Sequence, residues 1–209
     1  MYLVHAYATP NSVKVPILLE ELGVAYHLEG VNVSSCEQQS AHFRELNPNG
    51  KLPVLLNTES DFVLTESAAI LLYLAASHDR FLPSDLMQRA RTYQQLFFLA
   101  SELGPSFEQS EHFQKRTTER IPLAIAKYHV EVKRALTALD SLLEHSEYVA
   151  GPEYSVVDIA LFGWLLHRRR AAINLDDMQR LKAWYGKVFA RPAVKRAIAR
   201  TELLMGKLS

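Results

Sequence analysis

Asn47-Pro48-Asn49-Gly50-Lys51-Leu52-Pro53-Val54-Leu55-Leu56, followed after a polar tip by Val63-Leu64-Thr65-Glu66-Ser67, is the stretch on which the reading of this chain turns. Asn47 to Gly50 is dense turn chemistry, since Asn, Pro and Gly each favour a bent backbone. Leu52 precedes a proline and is therefore extended. Pro53 has no N–H for a strand ladder, so the spacing predicts a strand that begins at Val54. Asn57 to Asp61 is a polar tip and Val63-Leu64 a short returning strand. Thr65-Glu66-Ser67 then leads into an apolar helical run from Ala68 to Ala76. A strand that ends where a helix N-terminus begins favours an anionic group. Leu52-Pro53 is a candidate cis bond, which would turn the Leu52 backbone N–H and C=O towards a ligand. The same residues also fit an ordinary hairpin followed by a helix cap.

Upstream, Tyr2 to Tyr7 alternates and is rich in aromatic and β-branched residues, which predicts a strand. A turn follows at Ala8 to Ser12. Val13, Ile17, Leu18 and Leu22 have helical spacing, with Asn11 or Ser12 as cap, Pro16 in the first turn and Gly23 as the stop. Ala25 to Val33 reads as a second strand, Ser34 to Ser40 as a polar loop and His42 to Leu46 as a short helix. Residues 1–77 therefore read β-α-β-(α)-β-β-α, a small mixed sheet with helices on its faces. Residues 78–85 read as a linker around Pro83.

Residues 86–209 show helical patterns without a convincing strand. Leu86 to Leu103 is one long helix broken at Gly104-Pro105, and Ser106 to Arg120 is polar and irregular. Pro122 opens another helix to about His145. Ser155-Val156-Val157-Asp158 has the shape of a capping box ahead of Ile159 to Leu166, with Asp in the place of the usual Glu. Met178 to Phe189 and Ala193 to Met205 complete the series. The expected fold is α/β plus all-α.

The 209 residues suit one large domain or two small ones, and 48% hydrophobic residues suffice for a full core. A formal net charge of zero points to neither nucleic acid nor a membrane surface as partner. The start Met-Tyr-Leu-Val-His lacks a basic segment ahead of an apolar run, so it does not read as a signal peptide. No apolar run is long enough to cross a bilayer. One cysteine, Cys36, gives no disulfide framework and fits a reducing compartment, so a soluble cytoplasmic protein is expected.

Thr9, Asn11 and Ser12 offer hydroxyl and amide donors at a helix N-terminus, which favours an anion such as a thiolate. Lowering a thiol pKa from ~8.5 to ~6.5 needs only about 2.7 kcal/mol, within reach of a few donors and a helix dipole. The three residues also fit a simple cap for the helix. Glu66 could accept from a ligand ammonium, with Ser67 and the helix amides holding a neighbouring carboxylate, or could serve only the helix dipole. Lys51 suits a second carboxylate and Gln38 could add hydrogen bonds, though both also read as surface residues. No metal is expected, because no pair among the eight histidines has metal-ligand spacing with Cys or carboxylate partners. Cys36 sits beside Glu37, which does not activate a thiol, and no Cys-x-x-Cys is present. His167 to Arg170 reads as a complement to a helix C-terminus.

Taken together, the chain resembles a cytosolic glutathione transferase, with a thioredoxin-like N-terminal domain, a linker and an all-helical C-terminal domain. The resemblance is carried by Leu18-Leu19-Glu20-Glu21-Leu22-Gly23, by Asn47 to Leu55, by Glu66-Ser67-Ala68-Ala69-Ile70-Leu71-Leu72-Tyr73-Leu74 and by the Ser155 to Asp158 box. Ala8-Thr9-Pro10-Asn11, Glu37-Gln38-x-Ser40, and Gly104-Pro105 with Gln109, His112 and Phe113 resemble the bacterial nu class in particular. That class uses glutathione as co-substrate and reduces disulfides without a catalytic cysteine, with weaker transferase or peroxidase activity.

The resemblance implies that Thr9 and Asn11 lie beside the glutathione sulfur, with the relative weight of Thr9, Asn11 and Ser12 open. It implies that Leu52, ahead of a cis Pro53, aligns the cysteinyl backbone and that Glu66 and Ser67 hold the γ-glutamyl end. Gln38 and Lys51 would face the glycyl carboxylate. Lys127 falls where the nu class has an arginine that reaches a glutathione across a homodimer, and lysine keeps the charge but loses the bidentate fork. The segment from Gly104 to Arg120 would line part of the site. The implied activity is thiol–disulfide exchange on a small disulfide. The alternatives are conjugation of an electrophile at the same site and a non-enzymatic binding protein of the same fold.

Overall fold

The computed structural model describes residues 1–206, with side chains through Leu204. The chain forms two compact units: Met1–Arg80 together with the chain from Ala190 onward, and Phe81–Phe189.

The first unit is built on a four-stranded sheet of order β2-β1-β3-β4. Strand β1 (Tyr2–Ala6) runs parallel to β2 (Tyr26–Gly30) and antiparallel to β3 (Val54–Asn57), and β3 runs antiparallel to β4 (Phe62–Thr65). Helix α1 (Lys14–Leu22) links the two parallel strands, as a crossover must. It stops at Gly23, whose φ of 72° suits a residue without a Cβ. A short helix α2 (Ala41–Leu46) is capped by Ser40, whose hydroxyl accepts from the Phe43 N–H at 3.2 Å. Helix α3 (Ser67–Ser77) follows β4 directly. This is the thioredoxin-like arrangement that the sequence implies, and its core is aliphatic: Val4, Val15, Ile17, Leu18, Leu55, Ile70, Leu71 and Leu74 are fully buried.

One cap differs from expectation. Neither Asn11 nor Ser12 caps α1; the N-cap is Val13, without a side-chain bond. Thr9 opens the turn instead, its Oγ1 accepting from the Ser12 N–H at 3.1 Å and its carbonyl from the Val13 N–H at 3.3 Å. The Asn11 side chain is thereby released from capping.

The last helix, α9 (Pro192–Gly206), packs on α1 within this unit, although the sequence reading grouped it with the helical segment. The anchors are ionic. Arg191 meets both Glu21 oxygens through its Nε and Nη2, at 2.5 and 2.9 Å, while Arg196 and Arg200 share Glu20 at 2.7 and 3.0 Å. The Glu21 side chain is only 8% exposed, so its bidentate arginine contributes more than a surface pair would.

The second unit is helical throughout. Helix α4 (Leu86–Phe98) passes through a π-helical turn, Leu99–Leu103, into α5 (Gly104–Lys115). Gly104-Pro105 therefore does not break the chain, and the segment read as irregular is mostly helix. Pro105 stands in the first turn, where its missing N–H is tolerated. Gly104 has helical angles; its reason is space, since a Cβ there would lie 2.8 Å from Trp164 Cζ2 and 3.0 Å from the Leu99 carbonyl oxygen. Helix α6 (Pro122–Leu142) packs along α5.

Helix α7 (Val156–Leu166) is buried along almost its whole length, as its uniformly apolar sequence demands. Its capping box is present, with the Asp158 Oδ2 accepting from the Ser155 N–H at 2.9 Å. Asp158 Oδ1 accepts from Val149 N–H at 3.1 Å and from Trp184 Nε1–H at 2.8 Å, so this buried carboxylate ties three elements together. Arg168 donates to the Leu165 carbonyl at 3.0 Å at the end of α7, the complementing role expected of the basic run. Helix α8 (Gln179–Ala190) closes the unit, with Tyr185 stacked on Phe162. Among the described residues, no helix is long and apolar enough to cross a membrane.

Candidate functional site

The strand register brings the singled-out residues of the first unit to one end of the sheet. His5 of β1 pairs with Val54 of β3, and Val54 pairs with Thr65 of β4. The chain leaving β1 towards Thr9, the chain entering β3 through Leu52-Pro53, and the chain leaving β4 into Glu66-Ser67 therefore lie side by side. Ala6 pairs with Gly30 at the end of the parallel strand β2, which places the loop carrying Gln38 at the same end. Tyr7 OH and Ser34 Oγ, 3.0 Å apart, tie the two loops.

The Thr9–Ser12 turn has a defined polar wiring. The Thr9 hydroxyl donates to Ser12 Oγ at 2.9 Å. Asn11 Oδ1 accepts from Lys14 Nζ at 2.6 Å and from Ser67 Oγ at 3.3 Å. The contact with Ser67 joins the β1 loop to the start of α3 across 56 residues of sequence. With its oxygen engaged twice, Asn11 has its two amide N–H donors left to offer.

Ser67 is the first residue of α3, and Glu66 before it adopts φ 66° and ψ 113°. A non-glycine residue in that region is strained by about 1–3 kcal/mol, a state that persists only where the surroundings impose it. The Glu66 side chain is exposed and makes no cap bond, and among the described residues its carboxylate has no hydrogen-bond or ion-pair partner. A strained residue carrying a free carboxylate beside the amides of a helix N-terminus can take an ammonium and an adjacent carboxylate at once.

Leu52 and Pro53 are joined by a cis peptide, as expected. The Leu52 side chain packs on a small cluster of Val31, Phe43 and Val54, so its backbone is held by apolar contact. Asn47 fixes the preceding turn: its Nδ2 donates to the Lys51 carbonyl at 2.7 Å and its Oδ1 accepts from the Asn49 N–H at 3.0 Å. Lys51 is exposed. Gln38 lies in a single 3-10 turn, Glu37–Gln39, that touches the same loop: a Cβ on Gly50 would come within 3.0 Å of the Gln38 carbonyl oxygen. The Gln38 Oε1 atom is buried and has no hydrogen-bond partner. Cys36, exposed and at φ 62°, belongs to the outer part of this loop.

Lys127 belongs to the other unit. It lies on the exposed side of α6, with its ammonium 5.8 Å from the Tyr128 ring centre, and Tyr128 in turn stacks on Phe113 of α5.

The reading of the sequence overlooked Lys14. It is 4% exposed at the start of α1 and bonds Asn11, whose side chain joins the β1 loop to the start of α3. Its signal was available: a single lysine inside the otherwise apolar run from Val13 to Leu19 has no polar helix face to occupy.

A thioredoxin-like sheet whose loops gather such groups at one end, followed by a helical unit, defines a class. Residues 1–76 match the family model of the glutathione S-transferase N-terminal domain, and residues 124–192 match that of the C-terminal domain. The chain belongs to the glutathione S-transferase family. It is 34% identical over 200 residues to the disulfide-bond oxidoreductase YfcG of Escherichia coli, covering 93% of both chains. It is also 34% identical over 210 residues to the disulfide-bond oxidoreductase YghU of the same organism, covering 92% of this chain and 72% of that one. Among solved structures it is similar to a glutathione transferase from Pseudomonas putida crystallised with one glutathione disulfide per subunit. That match has a TM-score of 0.88 and 33% identity, with 94% of this chain and 90% of the other covered.

Proposed function

We propose that the chain is a glutathione-dependent thiol–disulfide oxidoreductase of the nu type, in which the tripeptide's own thiolate carries the chemistry. The observation that supports this reading is the Asn11–Ser67 contact, which brings the Thr9–Ser12 turn within one hydrogen bond of the helix N-terminus that follows the unpaired Glu66 carboxylate. Glu66 accepts from the γ-glutamyl ammonium, while Ser67 and the first amides of α3 hold its carboxylate. Leu52 aligns the cysteinyl backbone. Gln38, whose Oε1 is buried and unpartnered, and Lys51 serve the glycyl end.

Asn11 donates an amide N–H to the sulfur, and Thr9 does so once its single hydroxyl proton turns from Ser12 Oγ; both favour the thiolate. That thiolate attacks one sulfur of a small disulfide. A new S–S bond forms, the old one breaks, and the departing thiolate takes a proton from water. A second glutathione thiolate attacks the mixed disulfide, giving glutathione disulfide and the second product thiol. Cys36 takes no part. The protein acts as a homodimer in the cytoplasm, with residues 1–77 binding glutathione, residues 78–85 as linker, and the helical segment from residue 86 as the second domain up to Phe189, after which the chain rejoins the first unit. Lys127 supplies a cation to a glutathione across the dimer.

The test is turnover of hydroxyethyl disulfide and of chlorodinitrobenzene by the wild type and by a Thr9→Ala, Asn11→Ala double variant. Disulfide reduction well above conjugation, and its loss in the variant, is expected. Conjugation dominating would make the protein a conjugating transferase. Failure to be retained on immobilised glutathione would leave a non-enzymatic protein of this fold. Unchanged turnover in the double variant would refute the sulfur site.

A further inference from the structure

Lys14 is 4% exposed in the first turn of α1, in a stretch where Val13, Val15 and Ile17 are themselves buried. A leucine or methionine would fill that space without removing a cation from water, which is costly. Burial alone holds the Lys14 amine down to a pKa of about 7. One contact the lysine makes in return is a 2.6 Å bond to Asn11 Oδ1. An asparagine amide has two faces of nearly equal shape, one accepting and one donating. A lysine ammonium can only donate, so it accepts one of the two orientations and rejects the other.

We propose that Lys14 is a positioning residue: in its protonated form it locks the Asn11 amide with its N–H donors turned to the glutathione sulfur and places a positive charge behind them. This rests on the assignment of Asn11 to the sulfur. Ser67 also donates to Asn11 Oδ1, at 3.3 Å, but has a single hydroxyl proton. When the γ-glutamyl carboxylate takes that proton, Lys14 keeps Asn11 in place. Filling one end of the site then leaves the other end set.

The experiment compares Lys14→Met, which keeps the volume and removes charge and donor, with Lys14→Gln, whose amide can still donate to Asn11. Thermal unfolding establishes that each is folded. In Lys14→Met, kcat for hydroxyethyl disulfide falls about tenfold while KM for glutathione stays within about twofold. The pKa of the bound thiol, followed by thiolate absorbance, rises by about one unit. Lys14→Gln recovers part of both losses, and Lys14→Met has no further effect in an Asn11→Ala background.

If Asn11→Ala is impaired but Lys14→Met matches the wild type in kcat and thiol pKa, the inference falls and the sulfur site stands. If Asn11→Ala itself matches the wild type, the sulfur assignment falls first. If neither Lys14 variant folds, the lysine is structural and the inference is overturned.

Discussion

Replacing Glu66 by glycine should strengthen the fold and weaken the site in one step. Its backbone stands at φ 66°, ψ 113°, where a side chain is strained by about 1–3 kcal/mol. Glycine removes that strain but loses about 0.5–1 kcal/mol more to the freedom of the unfolded chain. Relief outweighs the loss, leaving a net gain of about 1 kcal/mol, or roughly 2–4 °C in melting temperature for a chain of this size. Glu66→Ala serves as control: it keeps the strained backbone and removes only the carboxylate, so no gain is expected. Under the proposed assignment of Glu66 to the γ-glutamyl ammonium, both variants lose that partner. Charge-assisted bonds are worth about 1.5–3 kcal/mol, but this carboxylate is exposed, so the lower end applies and glutathione should bind about tenfold more weakly. Thermal unfolding and titration calorimetry with glutathione read the two effects separately. A glycine variant no more stable than the alanine variant would refute the strain argument. Unweakened binding in both would remove Glu66 from the site.

Gly104→Ala should destabilise by about 1–2 kcal/mol in denaturant unfolding: alanine gains about 1 kcal/mol of helix propensity, but its Cβ meets Trp164 at 2.8 Å and a backbone carbonyl at 3.0 Å, and overpacking costs up to about 3 kcal/mol. Asp158→Ala leaves the Val149, Ser155 and Trp184 N–H groups without their acceptor and should cost about 4 kcal/mol, read as loss of soluble folded protein. Asp158→Asn, which keeps one oxygen, should cost roughly half as much. Burial holds the folded Lys14 amine at a pKa of about 7, against 10.5 for a lysine in water, so the unfolded chain binds more protons between these values. Its contribution to stability therefore rises with pH from about 7 to 10.5, by at most about 5 kcal/mol. The stability difference between wild type and Lys14→Met, followed across that range, should show this slope.

Local chemistry made much of the first unit legible. Pro53 marked the start of β3, Gly23 the end of α1, and the Ser155–Asp158 spacing the start of α7. These signals act within a few residues of themselves. The helix α5 was hidden because its exposed positions are polar and its buried ones, Gly104, Phe107 and Ser110, include only one large apolar residue. Gly104-Pro105 looked like punctuation because sequence does not display Trp164 pressing on the glycine. In the candidate site, residue types were readable but not their wiring. That Asn11 bonds Ser67, and that Glu66 sits at positive φ, depend on how β1, β3 and β4 are brought alongside one another. The docking of α9 on α1 was equally out of reach, because ionic partners 170 or more residues apart in sequence look like ordinary surface charges.

That docking bears on the order of events at the ribosome. A nascent chain that has produced Met1–Arg80 holds the whole sheet but lacks the helix that covers the outer side of α1. More than a hundred residues of helical unit must be synthesised before Arg191, Arg196 and Arg200 arrive. Until then Glu20 and Glu21 have no counter-charge from α9, and the adjoining surface waits for its cover. The sheet unit is thus first to be begun and last to be finished, and a translation arrest anywhere in the helical unit strands it one helix short.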